Sequence, residues 1–364
     1  MKTIKRCLVH TLKKAPIPFD LFRLCRGAKS AASLGVQFSE IYPQEEIPIT
    51  PSRNIHPTCP SLDNAPAILT NPPLCRYDYS GWVTHHGGFI TQDNYHIEEL
   101  IYYKDRGHPH DNSIRLFQKY LKTEAPVLAL VSASQHNYYH WHIQNVSQAL
   151  HALKNGILDT IPPNYRIYAP LTDPHQHKSL TEIGLPQERF ISSKTHPNLY
   201  SPHIITINVL HHPTRLAVEH WKRIRAQIPR DPTLPRRIYI SRSKAKTRKI
   251  INEQALLRLL RAYQIQPFHL EELDYETQRR LAKNATIIIA PHGAGLTNIL
   301  FAEAGTHILE IFPSHNTNIC YHILASLLGH HHTHYLAPAT DEKTLNMTID
   351  VDLVHEHLKN ILQQ

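Results

Sequence analysis

The chain has 364 residues, 41% of them hydrophobic, and a net charge of +9 with its 29 histidines counted as neutral. This length is enough for two domains with ordinary cores, and no apolar run approaches the ~20 residues that a membrane-spanning helix needs. The positive charge favours anionic partners such as phosphorylated small molecules, acidic lipid or nucleic acid, but it does not choose among them.

Residues 1–60 are predicted to be an irregular N-terminal segment, because closely spaced prolines prevent long helices. The start of this segment is basic but lacks a secretory hydrophobic region, so we expect a cytoplasmic protein. It can lie on an anionic membrane surface or simply pack as a frayed terminal stretch. The scattered cysteines are then expected to be reduced thiols: Cys7, Cys25, Cys59, Cys75 and Cys320.

Residues 61–230 are predicted to form an N-terminal α/β domain. In chain order the patterns indicate short strands within 66–104, a helix at 111–121, a strand at 127–131, a helix ending at Gly156, a strand at 165–169, a helix at 177–183, a strand at 204–209 and a helix at 214–228. The proline-rich stretch IPRDPTLPRR follows and is predicted to be the linker between domains.

Residues 231–345 alternate regularly between strands and helices and are predicted to form a second, nucleotide-binding α/β domain. Strands are expected near 236–242, 265–270, 287–289, 307–312 and 332–336, with helices at 252–263, 275–283 and 318–328. Such an alternation predicts a parallel, doubly wound sheet with right-handed crossovers. Residues 346–364 are predicted to contain a terminal helix that packs back on the N-terminal domain.

The most informative stretch is a strand, a glycine turn and a helix start at residues 287–301. Three consecutive isoleucines predict a strand that is buried on both faces. The turn after it lies at the carboxyl end of the strand, where open α/β sheets bind ligands, and a helix N-terminus attracts anions. His292 strengthens this interpretation, because a tight turn does not need a histidine.

A second cluster, SRSKAKTRKIINE at residues 241–253, places several cations after another strand. Arginine binds phosphate oxygens through two parallel hydrogen bonds, so this loop can hold a diphosphate. The alternative is a solvated basic loop.

A third cluster is HNYYHWH, residues 136–142. His136, His140 and His142 can be interpreted as metal ligands, but no acidic residue or cysteine lies nearby in sequence and histidine is common throughout the chain. An aromatic platform beside a base, suited to a sugar, accounts for the same residues more economically.

Taken together, these stretches resemble glycosyltransferase family 61. The resemblance is carried by NYYHW (137–141), ISRSKAKTRKIINE (240–253), ATIIIAPHGAGLTNILF (285–301) and GTHILEIFP (305–313), in this order and spacing. It is strong over about 237–313, moderate over 126–155 and weak in the first 60 residues. The family includes transferases that build protein O-GlcNAc, O-mannosyl glycans and plant xylan, and it has many bacterial relatives.

The resemblance implies a GT-B fold, with two Rossmann-like domains facing a cleft, and inverting transfer from a nucleotide sugar, typically a UDP-sugar. It implies two sets of residues. The donor-binding residues would be Arg242 and Arg248 on the diphosphate, His292, Gly293, Ala294, Gly295, Thr297 and Asn298 in the pyrophosphate-binding turn and helix start, and Glu310 near the ribose. The acceptor-binding residues would be Asn137, Tyr138 and Trp141. His140 would line the same acceptor side, and because a base must take the acceptor proton, we take His140 as the candidate catalytic residue.

One departure from the family pattern bears on the acceptor side. Where the family commonly has an acidic residue and then Pro-Arg after NYYHW, this chain has Gln144 and then Ser147-Gln148. No cofactor is expected to be required, and a divalent metal is allowed by the scheme but is not predicted, because arginines and backbone amides can stabilise the leaving diphosphate.

By analogy with the family, we expect a bacterial-type cytoplasmic enzyme of surface polysaccharide synthesis, with a glycan or lipid-linked acceptor and no nucleic acid partner. It could also sit peripherally on the inner face of the membrane. Two alternatives remain at this point: a basic nucleic-acid-binding α/β protein, and a hydrolase with a metal bound by histidines.

Overall fold

The computed structural model describes residues 27–55, 59, 62, 65–101, 120–314 and 317–363. The basic N-terminal segment predicted to contact a membrane, and most of the helix predicted at 111–121, lie outside these residues. Within these ranges no helix is long and apolar enough to cross a membrane.

The strands are short and run through the whole chain. In order they are β1 (Gly27–Lys29), β2 (Gln37–Tyr42), β3 (Glu45–Pro48), β4 (Arg53–Asn54), β5 (Ile68–Asn71), β6 (Leu74–Thr84), β7 (Phe89–Thr91), β8 (Tyr95–Ile97), β9 (Tyr120–Lys122), β10 (Val127–Ala129), β11 (Arg166–Ala169), β12 (Phe190–Ser192), β13 (Asn198–Ile207), β14 (Arg237–Ile240), β15 (Gln266–Phe268), β16 (Ile287–Pro291), β17 (His307–Pro313) and β18 (His331–Ala337).

The helices connect the parallel strands. They are α1 (Tyr138–His140), α2 (Val146–Lys154), α3 (Pro174–Glu182), α4 (Arg215–Gln227), α5 (Glu253–Ala262), α6 (Tyr275–Asn284), α7 (Cys320–Leu328) and α8 (Val351–Leu362). A π-helical turn, Trp141–Asn145, joins α1 to α2, and the helix predicted after the glycine turn is a 3-10 helix, Ala294–Phe301.

The chain folds into two compact units. The first contains the described residues up to Gln44 together with Pro72–His211, and the second contains Glu45–Asn71 and the described residues from His212 onward. The boundary lies earlier than the predicted position after residue 230, because α4 packs within the second unit. Its Trp221 meets Phe301 edge to face at 5.9 Å, and Arg225 donates a hydrogen bond to the carbonyl oxygen of Ala302.

The first unit is built on one mixed sheet in the order β1-β8-β7-β6-β13-β10-β11-β12, with β2 paired to β6 and β9 paired to β13. The run from β13 to β12 is parallel. Read across the sheet from β12 to β13, these four strands have the chain order third, second, first and fourth, which is the start of the strand order of the Rossmann fold. Helices α1 and α2 follow β10, and α3 follows β11, as the predicted alternation requires.

The second unit is built on a six-stranded sheet in the order β15-β14-β16-β17-β18-β4. Every strand pair in it is parallel, so the parallel α/β sheet predicted for residues 231–345 is confirmed. Strand β4 was not predicted as part of this sheet, since its two residues come from the irregular N-terminal stretch. The antiparallel pair of strands β3 and β5 also belongs to this unit.

Alternation along the central strands divides the second unit's core into two faces. Ile287 and Ile289 share one hydrophobic cluster with Leu256 of α5 and Leu358 of α8, whereas Ile288 between them does not belong to it. Successive side chains of a strand point to opposite faces, so a strand that is apolar at every position must be covered on both sides.

The terminal helix α8 contributes to this same core. Its buried residues Val354 and Leu358 lie in the cluster of α5, and the Tyr263 hydroxyl is 3.0 Å from Nδ1 of His355. The sequence analysis placed this helix on the N-terminal domain, whereas its buried face belongs to the second unit. Its period-3.6 apolar pattern could not reveal which of the two cores it covers.

Truncation of Leu358 tests this assignment. Leu358→Ala should lower the free energy of unfolding by about 2–5 kcal/mol, because the side chain is fully buried and its removal leaves a cavity. Urea denaturation followed by circular dichroism measures the change. Glu356→Ala, on the exposed face of the same helix, should change stability by less than about 0.5 kcal/mol. Equal effects of the two substitutions would contradict the packing described.

Candidate functional site

In the sheet of the second unit, the connections that leave the neighbouring strands β14 and β16 run in opposite directions along the sheet. The connection leaving β14 runs to β15 on one side, and the connection leaving β16 runs to β17 on the other. Ligands of open α/β sheets bind outside the carboxyl ends of the two strands at such a point. Arg242 follows β14 and His292 follows β16, so the sheet brings together two clusters that lie 50 residues apart in sequence.

The closest contact at this point is between Arg242 and Gly293. A Cβ atom added at Gly293 would lie 2.0 Å from Nη1 of Arg242 and 2.8 Å from its Cζ, which is a severe overlap. The backbone of Gly293 is extended, with φ 171° and ψ 168°, so glycine is required here for space and not for conformation. The arginine therefore lies directly on the glycine turn, and a side chain at position 293 would displace it.

Two guanidinium groups share this region. Burial lowers the pKa of Arg242, and the charge of Arg248 lowers it further, as expected for like charges placed close together. Among the described residues, no carboxylate forms an ion pair with either arginine, and the buried Nε of Arg242 has no acceptor. Buried donors without partners are costly, so this geometry favours an anion as the missing acceptor.

The backbone of Arg248 is held in an uncommon conformation. Its φ is 59°, in the left-handed region, and its amide donates a 2.9 Å hydrogen bond to the carbonyl oxygen of Thr344. A non-glycine residue pays about 1–2 kcal/mol for this conformation. Such strain is concentrated at ligand sites, which agrees with a binding role for Arg248.

The other cations of the basic loop are placed differently. Lys244 is exposed and forms an ion pair with Glu272, and Lys246 is also exposed. The loop is therefore not uniformly available for an anion: of its five cations, Lys244 and Lys246 are exposed, whereas Arg242, Arg248 and Lys249 are partly buried.

The residues after Gly293 form the first turns of the 3-10 helix. Thr297 is fully buried and its hydroxyl lies 3.3 Å from that of Tyr321. Asn298 donates to the carbonyl oxygen of Gly295 and to the Gln278 side chain, so it braces the turn. The sequence analysis gave both residues a donor-binding role. In the structure their side chains are turned to protein partners, while the amides of the turn lie beside Arg242.

Glu310 is fully buried behind the turn. One carboxylate oxygen lies 2.6 Å from Nδ1 of His292 and the other 3.0 Å from Nε2 of His332. Burial acts to raise the pKa of Glu310, but the hydrogen bonds from the two imidazoles outweigh it and hold the pKa below its usual value. Contact with ribose hydroxyls was expected for Glu310. Both of its oxygens lie within hydrogen-bonding distance of histidines in this structure, and the carboxylate holds His292 in place.

The network continues through residues that sequence reasoning missed. The hydroxyl of Ser52 lies 2.6 Å from Nδ1 of His332 and 2.7 Å from Nδ1 of His334. Ser52 precedes β4, and the two histidines alternate on β18. Nothing in the sequence marked these residues, because the pairing between the N-terminal stretch and the last strand was not foreseeable.

In the first unit, the predicted acceptor-side residues lie at the carboxyl end of β10. Asn137 begins α1, and its side chain accepts a hydrogen bond from the amide of Tyr139. The ring centroid of Tyr138 lies 4.2 Å from that of His142 and 5.0 Å from that of His175. His175 thus joins the aromatic group, although the sequence analysis did not select it.

Trp141 does not face the site that the resemblance implied. It is fully buried, and its indole nitrogen donates a 2.9 Å hydrogen bond to the Ser179 hydroxyl. An acceptor contact by Trp141 is therefore a wrong prediction for this structure, and the residue instead anchors α1 to α3. The π-helical turn that begins at Trp141 is a feature often found at functional sites.

His140 is partly buried one turn before Gln144. Burial lowers the pKa of His140 below 6.5; the side chain of Gln144, which lies against the imidazole, acts to raise it, and His211 acts to lower it. The net shift keeps His140 neutral near pH 7, the state that a general base requires.

The metal set considered from the sequence is not assembled. Nδ1 of His142 lies 2.8 Å from the carbonyl oxygen of Tyr138, and its ring stacks on His175. His136 is grouped with His85 and His86 instead of with His140 and His142. The alternative of a hydrolase with those three ligands is therefore not supported.

Comparison with known families agrees with the geometry. Residues 41–309 match the family model of Glycosyltransferase 61, which is well over half of the sequence. The chain belongs to glycosyltransferase family 61.

Curated relatives match over shorter stretches. The chain is similar to the EGF domain-specific O-linked N-acetylglucosamine transferase of Drosophila melanogaster, with 38% identity over 110 residues, or 29% of this chain and 21% of the relative. For the proteins of the same name from Canis lupus familiaris and Mus musculus, identity is 32% over 120 residues and 29% over 127 residues, covering 32% and 34% of this chain and 22% and 24% of those relatives. The matches thus span less than a quarter of the length of these relatives.

Replacement of Glu310 tests the buried network. Glu310→Gln should lower stability at neutral pH by about 1–3 kcal/mol, because the charge-assisted hydrogen bonds to His292 and His332 are lost. The folded-state pKa of Glu310 is depressed, so its contribution is complete above the unfolded value near 4.5 and is lost as pH falls through the folded value. Unfolding curves should therefore converge for the two proteins on acidification. A stability gap that does not depend on pH between 7 and 3 would contradict an ionised Glu310.

Proposed function

We propose that the chain is an inverting glycosyltransferase of the GT-B type that transfers a sugar from a nucleotide donor, with UDP as the expected nucleotide, to a hydroxyl acceptor. The second unit would hold the donor and the first unit the acceptor. The observation that carries the proposal is the pair of neighbouring arginines that form no ion pair among the described residues, with Arg242 lying against the glycine turn at the switch point of a parallel sheet.

The chemistry follows from where charge develops. As the bond between the anomeric carbon and the diphosphate oxygen breaks, that carbon takes on oxocarbenium character and negative charge grows on the leaving group. Arg242 and Arg248, with the amides of the turn from Gly293 to Gly295, would stabilise the growing charge. His292, held by Glu310, would complete the donor side. No divalent metal is needed for charge neutralisation in this scheme.

The acceptor side requires a base. The acceptor oxygen attacks the anomeric carbon from the face opposite the diphosphate, and its proton passes to a base as the new bond forms. His140 is the proposed base, since it is neutral near pH 7 and lies beside Asn137 and Tyr138. Family members commonly carry an acidic residue where this chain has Gln144, so the side chain beside the imidazole is a neutral amide here.

The setting of the enzyme is a proposal by analogy. The named relatives are EGF domain-specific O-linked N-acetylglucosamine transferases, which favours N-acetylglucosamine as a donor sugar to test first. A bacterial-type role in surface polysaccharide synthesis, a cytoplasmic or peripheral membrane location and a lipid-linked acceptor remain the expectations of the sequence analysis.

Removal of Arg242 tests the donor site. Arg242→Ala should weaken binding of nucleoside diphosphates about 10- to 100-fold, because a charge-assisted hydrogen bond is worth about 1.5–3 kcal/mol. Arg242→Lys should restore only part of the affinity, since an ammonium lacks the two-pronged geometry of a guanidinium. Isothermal titration calorimetry of the folded proteins against UDP, GDP, CMP and ADP, with a chelator present, measures the loss of affinity. The same titrations identify the nucleobase that the wild type prefers.

Lys246→Ala is the matched control, because it removes the same charge from an exposed position of the same loop. It should bind the nucleotide like the wild type. Equal losses in the lysine and arginine variants would assign the effect to net charge and not to a site. Tight, salt-sensitive binding of RNA or DNA without any nucleotide affinity would overturn the proposal in favour of a nucleic-acid-binding protein.

Position 144 tests the proposed base. Gln144→Glu should raise the pKa of His140, because a neighbouring carboxylate favours the imidazolium, and Gln144→Leu should lower it by removing the contact that raises it. Histidine resonances followed by NMR against pH report both shifts. In a pH–activity profile, activity should fall on the acid side as His140 becomes protonated. This acid limb of the profile should move to higher pH in Gln144→Glu. An unchanged limb in both variants would exclude His140 as the base.

A further inference from the structure

We infer that the first unit contains a site for a zinc-class divalent transition ion, formed by His85, His86 and His136, which fastens the loop before α1 to the β6–β7 turn. Among the described residues, one possible ligand atom from each of the three histidines lies within 4.8 Å of those of the other two. This site is separate from the proposed donor and acceptor residues, and metal binding to it does not depend on the proposed function.

The backbone already holds the two segments together. The turn between β6 and β7 approaches the loop after β10 so closely that a Cβ atom at Gly87 would lie 2.8 Å from the carbonyl carbon of Ser132 and 2.9 Å from the amide of Ala133. Gly87 also has a φ of 72°, which favours glycine. The ligands of the proposed ion therefore come from two segments whose relative position is fixed by contact and not by the ion alone.

Hydrogen bonds support the same arrangement. The Gln135 side chain donates to the carbonyl oxygen of His85 and also accepts a hydrogen bond from the amide of Ser132. The amide of His85 donates to the carbonyl oxygen of Pro197. His136 follows Gln135 directly, so its position relative to His85 is constrained from the neighbouring residue.

The ring geometry fits a common ion. Ring centroids of His85 lie 4.9 Å from His86 and 4.8 Å from His136. Tetrahedral zinc binds imidazole nitrogens at 2.0–2.1 Å, which places two such nitrogens about 3.4 Å apart. Side-chain rotations that move the nitrogens about 1–1.5 Å closer to one another would therefore bring all three within bonding distance of the ion. Three imidazoles with one open position form a known zinc ligand set, and nitrogen ligands favour zinc, copper or nickel over magnesium.

One of the three histidines has a hydrogen-bond partner on a ring nitrogen that zinc would leave free. Nδ1 of His85 lies 2.5 Å from the hydroxyl of Ser193. Coordination through Nε2 would keep this hydrogen bond, and such a bond to the other ring nitrogen fixes the orientation of a metal-bound histidine.

The position of His136 defines what the ion would do. It immediately precedes Asn137, whose side chain caps the start of α1. An ion bound to His136 and to the β6–β7 turn would restrain the loop 132–136 at its far end, next to Tyr138 and His140. Metal occupancy would thereby control the mobility of the segment that leads into α1.

Zinc titration of the chelator-treated full chain tests the site. Isothermal titration calorimetry, with metal content measured by mass spectrometry, should show one tightly bound zinc per chain, lost in His86→Ala and in His136→Ala. Neither side chain is fully buried, so the variants should fold, and thermal melts without metal would confirm this. His331→Ala removes an exposed histidine from β18 and should retain the stoichiometry. Magnesium should not compete.

Hydrogen exchange provides an independent measurement. Zinc should slow amide exchange in residues 132–137 of the wild type at least severalfold and should leave His136→Ala unchanged. Equal zinc binding by the wild type and both ligand variants would assign the metal to other histidines of this histidine-rich chain and overturn the inference. Absence of zinc binding by the folded wild type would also overturn it. Zinc binding without slower amide exchange in residues 132–137 would overturn the role of the ion in fastening the loop.

Discussion

The buried carboxylate of Glu310 is the constraint around which the second unit is arranged. Moving an ionised carboxylate out of water costs several kcal/mol unless good hydrogen bonds replace the lost hydration. Here the replacement comes from His292 after β16 and His332 on β18, and Ser52 before β4 holds the second imidazole in turn. One charge thus links three strands of the sheet and the glycine turn, so the position of His292 depends on the integrity of the sheet edge.

The same logic explains the contrast between the two sides of the glycine turn. Behind it, the negative charge of Glu310 is fully satisfied by protein donors. In front of it, Arg242 has a buried N–H without an acceptor among the described residues. Protein interiors rarely leave such donors unmatched unless a ligand supplies the acceptor. The buried negative charge behind the turn therefore has protein partners. The buried N–H group of Arg242 lies where α/β sheets bind ligands, so a ligand can supply its acceptor.

Much of the second unit could be predicted from the sequence because its signals are local. The isoleucines of β16 indicate a strand covered on both faces, and regular alternation with helices indicates parallel pairing, which the sheet confirms. That Arg242 and the glycine turn belong to one site was implied by the family resemblance, whereas the close approach of Arg242 to Gly293 was not predicted.

The remainder depends on long-range contacts that leave no trace in periodicity. Trp141 was assigned to the acceptor through the family resemblance, but it lies at the start of a π-helical turn, and its indole nitrogen donates a hydrogen bond to Ser179. Residues of Glu310's network on β18 and before β4 carry no motif. The role of α8 was misassigned for a related reason, since an amphipathic helix specifies that it needs a core but not which core.

The path of the chain has a consequence for how this protein can be made and divided. The chain leaves the first unit at residue 44, contributes Glu45–Asn71 to the second, returns until His211 and then leaves again. During synthesis, Ser52 is made 280 residues before its partner His332, so β4 can pair with β18 only after nearly the whole chain has been made. Contacts that distant in sequence close late and slowly. A fragment starting at residue 212 would lack the edge strand and the Ser52 end of the Glu310 network, so no single cut yields both units complete.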